Sequence, residues 1–269
     1  MGRLLITGAA GAIGTVLRRD LGPRWAHVRG LDRRAYDPVV AGEEVVVGDL
    51  RDEGHVAEAV SDVDAIVHLA GVPSESGFEE VMEHNILGTY RVLEAARKLG
   101  VRRVVIASTN HVVGFHPVGE CLDDSSAPRP DTFYGVSKVA GEGLASLYAD
   151  KFGLATVSVR IGTFRDRPTH RRHLWTWLSH RDAVHLFDRC LTAELEGHAI
   201  VYGVSANSRS WWSNPAGDAL GYQPQDDAEV HLAAIEATDP WSAVDPAEPA
   251  EQRQGGPFVG WFPHAYGPR

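Results

Sequence analysis

The chain has 269 residues, of which 43% are hydrophobic, so it is long enough to form one large domain with a full hydrophobic core. Its formal net charge of -10 disfavours nucleic acid or an anionic membrane surface as the main partner, since both require a basic face. Cys121 and Cys190 fit neither a disulfide framework nor a metal site, and no apolar run approaches the roughly 18 residues of a membrane-spanning helix. We therefore expect a cytoplasmic protein.

A glycine-rich turn follows the first predicted strand, residues 3–7, and precedes an amphipathic helix that continues to Leu21. Three glycines spaced three residues apart allow backbone N–H groups and the positive end of the helix dipole to approach a pyrophosphate closely. We predict that this turn binds a dinucleotide. The predicted contacts are Gly8, Gly11, Ala12, Ile13 and Gly14.

An acidic residue ends the second predicted strand, residues 27–31. Asp32 lies about 20 residues beyond the glycine-rich turn, where a carboxylate can accept both ribose hydroxyls of an adenosine. The neighbouring Arg33 and Arg34 could instead pair with the 2′-phosphate of NADP. Because Asp32 would repel that phosphate, the sequence favours NAD.

Two further strand ends are predicted at the same edge of the sheet. Strand 44–47 leads to Asp49 and Leu50, which we expect to contact the adenine, with a helix N-cap as the alternative for Asp49. The fourth strand, residues 64–71, ends in small residues that let the backbone approach a flat ligand. Its predicted cofactor contacts include Ala70 and Gly71.

Polar residues follow the buried fifth strand, residues 103–107. Residues 108–111 read Ser-Thr-Asn-His and are expected at the same edge as the glycine-rich turn, with a hydrated loop as the alternative. The preceding helix, about 78 to 99, ends at Gly100 in a left-handed cap and contains Asn85, a residue that is usually solvated or locally bonded there.

A tyrosine and a lysine lie four residues apart on the helix predicted from about 132 to 152. Tyr134 and Lys138 therefore face the same way. A nearby ammonium favours the phenolate, so the pair is suited to proton transfer nearer neutrality, with an ordinary surface pair as the alternative. This is the only Tyr-x-x-x-Lys in the chain.

Strands and helices alternate from residue 3 to a sixth strand at 155–161. This pattern predicts an α/β fold, a Rossmann-type doubly wound parallel sheet with strand order 3-2-1-4-5-6. We expect residues 1–161 to form the dinucleotide-binding core. Residues 162–269 would form a smaller substrate-side region and tail within the same compact domain.

The substrate-side region opens with an Arg- and His-rich loop, residues 165–173, followed by a helix from about 181 to 195. Its histidines lack the spacing of a metal site, so we expect no bound metal. Trp211 and Trp212 are expected to pack in the core or at a subunit interface, with a ring-stacking platform as the alternative. Residues 238–254 look irregular and solvated, and residues 255–258 are expected to fold back on the body.

Motifs along most of the chain resemble a known enzyme family. The glycine-rich turn, Asp32, Asp49-Leu50, the polar strand end and the Tyr-x-x-x-Lys pair resemble the extended short-chain dehydrogenase/reductase superfamily. Further segments are similar to the NAD-dependent uronate dehydrogenases. They are residues 108–114 (Ser-Thr-Asn-His-Val-Val-Gly), 134–138 (Tyr-Gly-Val-Ser-Lys), 159–162 (Val-Arg-Ile-Gly), 176–180 (Thr-Trp-Leu-Ser-His) and 205–207 (Ser-Ala-Asn), with Trp211-Trp212.

The resemblance implies hydride chemistry at a sugar hydroxyl. Tyr134 would take the proton from the anomeric hydroxyl of cyclic galacturonate or glucuronate while C1 gives its hydride to the nicotinamide, yielding an aldarolactone. Lys138 would hold the nicotinamide ribose and lower the pKa of Tyr134. Thr109, where the family usually has serine, would hydrogen-bond the reacting oxygen.

The resemblance also implies a set of substrate contacts. Asn110, His111 and Thr163 would contact sugar hydroxyls. Arg172 would bind the C6 carboxylate, for which a planar guanidinium is suited, and the adjacent Arg171 is the alternative for this contact.

Two further substrate contacts are implied near the ends of the site. Pro73 stands where the family has a serine, so Ser74 is expected to replace that serine by a one-residue shift. Phe258 resembles a tail residue that closes over the site, with core packing as its alternative.

On the cofactor side, the resemblance adds Leu69, Asn85 and Ile161 to the NAD contacts. It also implies a homo-oligomer, paired through the helices near 78–99 and 132–152. Two other functions remain open: an NAD-dependent sugar epimerase or dehydratase that uses its cofactor transiently, and a catalytically idle NAD-binding protein.

Overall fold

The structure, a computed structural model, describes residues 2–241 and 245–260. Its strands are β1 (Arg3–Thr7), β2 (His27–Asp32), β3 (Glu44–Val47), β4 (Ala65–His68), β5 (Arg103–Thr109), β6 (Ala155–Ile161), β7 (Thr163–Phe164), β8 (Trp177–Leu178) and β9 (His198–Gly203). Its α-helices are α1 (Ala12–Asp20), α2 (Glu53–Val60), α3 (Phe78–Val81), α4 (Gly88–Lys98), α5 (Phe133–Phe152), α6 (His173–Thr176), α7 (His180–Thr192), α8 (Pro215–Ala219), α9 (Leu232–Thr238) and α10 (Pro249–Gln252).

Seven of the described strands form one parallel sheet in the order β3-β2-β1-β4-β5-β6-β9. The predicted order of the first six strands and the Rossmann-type fold class are confirmed. Strand β9 was not predicted, because a short apolar run outside the regular alternation does not distinguish a strand from a buried helix. The short strands β7 and β8 pair separately.

The register of the sheet brings the predicted site residues to one edge. Thr7 at the end of β1 is paired with His68 at the end of β4, and Thr109 at the end of β5 is paired with Ile161 at the end of β6. Since all these strands run in parallel, their carboxyl ends lie at a common edge, where ligands of such sheets bind.

The core lies on both faces of the sheet. Successive side chains of a strand point to opposite faces, so Leu4 and Ile6 join one apolar cluster, with Phe187 of α7, while Leu5 joins the other, with Leu93 of α4. All five are 0% exposed. This two-sided burial fixes the sheet rigidly and leaves its carboxyl edge for function.

The helix predicted from about 78 to 99 is present, but its middle is a π-helical segment, Met82–Leu87, between α3 and α4. Its predicted left-handed end at Gly100 is confirmed by a φ of +73°. Within the described residues, none of the helices combines the length and apolar character needed to cross a bilayer.

The expectation of a solvated segment over residues 238–254 is wrong at its end. Gln254 is 0% exposed, accepts a hydrogen bond from the indole N–H of Trp212 at 2.8 Å and donates to the carbonyls of Pro117 and Glu120. Local composition is polar and proline-rich here, but it does not reveal such distant partners. Residues 242–244 and 261–269 of the predicted substrate-side region lie outside the described residues.

Candidate active site

A cavity of about 590 Å³ opens at the carboxyl edge of the sheet. It is bounded by strand ends, by the start of α5, by the loop after β7 and by the chain near residue 256. Twelve of the predicted site residues line it: Ile13, Leu69, Gly71, Thr109, Asn110, His111, Tyr134, Lys138, Ile161, Thr163, Arg172 and Phe258. The fold therefore collects residues that are distant in sequence around one cavity.

The glycine-rich turn has the backbone geometry that a pyrophosphate site requires. Gly8 has a φ of +71°, and a Cβ added there would lie 2.8 Å from the amide nitrogen of Ala70. Gly11 is the N-cap of α1 and has no side chain that could occupy the first-turn amides. These residues fit a dinucleotide, because larger side chains would fill the space that a phosphate needs.

Asp32 is held against this turn. One carboxylate oxygen accepts a hydrogen bond from the backbone N–H of Ala10 at 3.0 Å, and the other accepts one from the N–H of Arg34 at 2.9 Å. The guanidinium of Arg34 donates back to the carbonyl of Ala10 at 3.0 Å. Asp32, which is predicted to bind ribose, is thus fixed beside the glycine-rich turn. The guanidinium of Arg34 is itself hydrogen-bonded to that turn.

The predicted N-cap alternative for Asp49 is wrong. The N-cap of α2 is Asp52, whose side chain accepts hydrogen bonds from the N–H groups of Gly54 and His55. Asp49 instead binds the guanidinium of Arg51 at 2.8 Å, and this hydrogen-bonded partner lowers the pKa of Asp49 to about 2. The carboxylate therefore stays ionised at neutral pH.

Asn85 is buried in the π-helical segment and bonded to distant residues, contrary to the expectation of a solvated or locally bonded residue. Its side-chain oxygen accepts a hydrogen bond from the N–H of Val72 at 2.7 Å, and its amide donates to the carbonyl of Val72 and to the hydroxyl of Ser137. A Cβ on Gly71 would lie 2.6 Å from this oxygen. Asn85 therefore ties the loop after β4 to the helix that contains Tyr134.

Tyr134 and Lys138 are not a surface pair. Tyr134 is only 9% exposed, and the ammonium of Lys138 lies 5.6 Å from the centre of its ring and donates to the carbonyl of Ala107 at 2.9 Å. An ammonium has three donors, so two stay available for a ligand. The pair therefore lies inside the cavity with its polar groups towards the strand ends.

The predicted lowering of the tyrosine pKa is wrong in this structure. Burial raises the pKa of Tyr134 to about 12, and the hydrogen bond with the hydroxyl of Thr109 opposes that rise. Burial also lowers the pKa of Lys138 to about 8. Both shifts have the same cause, because a water-poor site disfavours the charged form of each group.

His111 is oriented by a buried carboxylate. Its Nδ1 lies 2.8 Å from a carboxylate oxygen of Asp131, whose side chain is 0% exposed. The centre of its ring lies 4.1 Å from the centre of the Phe258 ring. The backbone N–H of His111 donates to the hydroxyl of Thr109 at 3.3 Å. The hydrogen of Thr109 is consequently free to point at the phenol or at a reacting oxygen.

The predicted return of residues 255–258 onto the body is confirmed, since the N–H of Gly255 donates to the carbonyl of Gly114 and Phe258 packs on His111.

The arrangement of the two adjacent arginines distinguishes their roles. Arg171 pairs with Asp239 at 2.5 Å and with Glu251 at 2.8 Å, and its side chain does not line the cavity. Arg172 lines the cavity, donates to the backbone carbonyl of Gln254 and lies 5.3 Å from the ring centre of Trp211. Burial lowers the pKa of Arg172 to about 10, so it stays charged at neutral pH.

Thr163 is connected to Arg172 through Thr176. The hydroxyl of Thr176 donates to the carbonyl of Arg172 at 3.2 Å and lies 2.9 Å from the hydroxyl of Thr163. Because a hydroxyl has one hydrogen, Thr163 donates to Thr176, and its oxygen can still accept a hydrogen bond from a ligand in the cavity.

Two polar residues near the cavity are placed differently from the predictions. Ser74 is half-buried and does not line the cavity, whereas Pro73 does, so the one-residue shift is not seen in this structure. Ser108 lines it, but its hydroxyl donates to Glu142 at 2.6 Å, and Glu142 is itself paired with the buried Arg160 at 2.9 Å. The serine is therefore part of the support beneath the site.

Glu75 does not line the cavity but supports the start of α5, a role that the sequence did not indicate. Its carboxylate accepts hydrogen bonds from the N–H groups of Phe133 and Tyr134, the first two residues of α5. No local pattern separates this glutamate from the neighbouring surface glutamates. Its partners lie more than 50 residues away, and only the fold reveals them.

Comparison with known proteins gives one consistent family. The chain matches the NAD dependent epimerase/dehydratase family over residues 4–181. A uronate dehydrogenase from Pseudomonas syringae pv. tomato is 46% identical over 259 residues, covering 96% of this chain and 93% of that protein. A uronate dehydrogenase from Agrobacterium fabrum is 43% identical over 259 residues, covering 96% of this chain and 97% of that protein. The crystal structure of a mutant uronate dehydrogenase from Agrobacterium tumefaciens complexed with NAD is 42% identical with a TM-score of 0.93, covering 98% of this chain and 100% of that one.

Proposed function

The chain belongs to the NAD-dependent epimerase/dehydratase family, and from this premise we propose that it oxidises galacturonate or glucuronate at C1 to the aldarolactone, with NAD as hydride acceptor. The observation that carries the proposal is one cavity lined both by the Tyr134 and Lys138 pair and by the guanidinium of Arg172. The relatives at 43–46% identity over nearly their full length, which are uronate dehydrogenases, support the same substrate class.

NAD fits the carboxyl edge of the sheet. The glycine-rich turn would hold its pyrophosphate, Asp32 the adenosine ribose, and Asp49 with Leu50 the adenine, while Asn85 would shape the nicotinamide side through the loop that it fixes. The remaining proposed contacts are Leu69, Ala70, Gly71, Tyr134, Lys138 and Ile161. When bound, NAD supplies the hydride acceptor, and its positively charged ring favours a phenolate nearby.

Tyr134 is the proposed general base. Its phenolate takes the proton of the anomeric hydroxyl, the C1–H bond breaks, and C1 becomes the carbonyl carbon of the lactone. The hydroxyl of Thr109 donates to the reacting oxygen. Lys138 would keep a positive charge near the phenol and would hold the nicotinamide ribose with its two free donors. Because burial alone opposes the phenolate, these partners have to favour it.

Substrate orientation depends on the opposite side of the cavity. Arg172 binds the C6 carboxylate, and Asn110, His111 and Thr163 bind sugar hydroxyls. The ring of Phe258 covers His111 and limits the entry of water. A substrate held at both ends presents C1 to the base, and such positioning lowers the barrier to reaction.

The decisive experiment mixes the purified protein with NAD and each uronate and follows the absorbance of NADH. We expect NADH formation with at least one uronate and little with galactose or glucose. A signal with neutral aldoses and none with either acid would exclude the carboxylate assignment. Cofactor that stays tightly bound without net NADH would instead favour an epimerase or dehydratase.

A homo-oligomer is proposed on the exposed faces of the helices around the π-helical segment and α5. Large apolar side chains are exposed there, including Tyr90, Val136, Leu147 and Phe152. Exposed large apolar side chains on neighbouring helices favour a protein interface there. Light scattering should give a multiple of 29.2 kDa, and a species of 29.2 kDa alone would contradict the proposal.

A cytoplasmic location is proposed because Cys121 and Cys190 are both free, as expected in a reducing compartment. Cell fractionation tests this location.

We also propose that the division at residue 161 is functional rather than a boundary between folding units, since β9 extends the sheet of residues 1–161. Limited proteolysis should then release no stable fragment that ends near residue 161.

A further inference from the structure

The end of the cavity near Arg172 carries positive charge that the proposed function has not used. Arg165 and Arg172 line the cavity together with His170 and His173, and no Asp or Glu is among the described residues that line it. The two guanidiniums form a local excess of positive charge in a chain whose formal net charge is -10. Among the described residues, the charged side chains that line the cavity are therefore positive, although the protein as a whole is acidic. This charge favours an anionic ligand.

Arg165 has a fixed backbone and an unengaged side chain. Its N–H donates to the carbonyl of Leu178 at 3.2 Å, and its carbonyl accepts a hydrogen bond from the indole of Trp177 at 2.8 Å. Its guanidinium is exposed and makes no hydrogen bond or ion pair with any residue in the described ranges. In contrast, Arg171 is fully committed to Asp239 and Glu251.

His173 shows that the two guanidiniums act on the same region. Burial lowers its pKa to about 4, the nearby Arg165 and Arg172 lower it further, and Asp239 has a smaller opposing effect. His173 is therefore neutral at pH 7 and does not add to the positive charge. An anion at this end of the cavity meets Arg172, which the protein holds in place, and Arg165, which is free to move.

Resting on the proposed function, we propose that Arg165 is a second specificity-determining residue, which binds the carboxylate of the sugar acid together with Arg172. Two guanidiniums offer a carboxylate more hydrogen-bond donors than one, and an exposed charge at the rim also speeds the encounter with an anionic substrate. This pair selects sugar acids over neutral sugars more strongly than Arg172 alone.

The test compares Arg165→Gln with Arg167→Gln in steady-state assays with NAD and the preferred uronate. Arg167 is another exposed arginine, two residues away, that does not line the cavity, so its variant is a control for the loss of one positive charge from the same loop. We expect Arg165→Gln to raise KM for the uronate about tenfold, with kcat and KM for NAD changed less than about twofold. The salt dependence of kcat/KM should become shallower only in Arg165→Gln.

The possible outcomes separate the two proposals. Failure of the wild-type protein to form NADH with any uronate would contradict the proposed function. If the wild-type protein turns over a uronate, and Arg165→Gln and Arg167→Gln have the same KM and salt dependence, only the proposed role of Arg165 is contradicted. Arg165→Lys should recover most of the salt dependence but not the full affinity, because an ammonium lacks the planar donor pair.

Discussion

The carboxylate of Glu75 accepts a hydrogen bond from the backbone N–H of Tyr134 at 2.9 Å and another from Phe133 at 3.2 Å. The hydroxyl of Thr132 accepts one from the N–H of Gly135 at 2.9 Å. The first three amides of α5 are therefore satisfied, although helix starts leave such groups without intrahelical partners. Glu75 fixes the helix turn from which the phenol of Tyr134 projects.

Removing this contact should affect both stability and turnover. Glu75→Ala should lower the free energy of unfolding by about 1 kcal/mol, as the loss of a helix cap does, and should lower kcat several-fold because Tyr134 is less well positioned. Glu75→Gln retains an acceptor oxygen and should recover part of both losses. Denaturant unfolding and NADH assays measure the two effects.

Glu79→Ala is the matched control, since Glu79 is an exposed glutamate near the start of α3. Its stability and kcat should match those of the wild type. If Glu75→Ala behaves like this control, the contact with α5 has no role in positioning Tyr134.

The comparison of Asp32 with Glu75 shows which parts of the site the sequence could predict. Asp32 was predictable because the position of an acid after the second strand follows from the regular alternation of strands and helices. Glu75, the partner of Tyr134, was not, because its contact depends on how a loop packs on a distant helix. The pKa of Tyr134 was predicted in the wrong direction for a related reason: burial depends on the folded surroundings, and motif spacing reports only the neighbouring lysine.

Replacement of the base should slow turnover strongly and leave the fold intact. Tyr134→Phe should lower kcat by a factor of about 10² to 10⁴, the usual contribution of a general base, while the affinity for NAD measured by calorimetry stays similar. Tyr90→Phe, at an exposed tyrosine of α4, should keep wild-type activity. Equal turnover of Tyr134→Phe and wild type would point instead to a catalytically idle NAD-binding protein.

The lowered pKa of Lys138 should appear in the pH dependence of stability. Its folded pKa of about 8 lies below the ordinary value of 10.5, so between these values the unfolded state binds more protons. Stability due to this group must rise with pH through that window, because burial penalises the ammonium and the penalty disappears when the proton leaves. His68 stays neutral there, since burial lowers its pKa to about 3.

Unfolding free energies of wild type and Lys138→Met, measured from pH 7 to pH 10.5, isolate this effect. Their difference should shift steadily in favour of the wild type as the pH rises. Lys98→Met, at an exposed lysine that pairs with Glu94 at 3.4 Å, should show no such trend. A pH-independent difference for Lys138→Met would show that its folded pKa is unshifted.

Arg172 and Arg171 should separate substrate binding from stability. Arg172→Lys should raise KM for the uronate about tenfold or more with a smaller loss in kcat, because an ammonium cannot bind a carboxylate through two parallel hydrogen bonds. Arg171→Lys should mainly lower the melting temperature, since the half-buried ion pairs with Asp239 and Glu251 require both ends of its guanidinium. Steady-state assays and thermal unfolding of both variants distinguish these effects.

A large KM increase in Arg171→Lys with unchanged kinetics in Arg172→Lys would assign the carboxylate contact to Arg171 instead. The ion pairs of Arg171 argue against that result, because Asp239 and Glu251 occupy its donors and their negative charges would repel a third carboxylate.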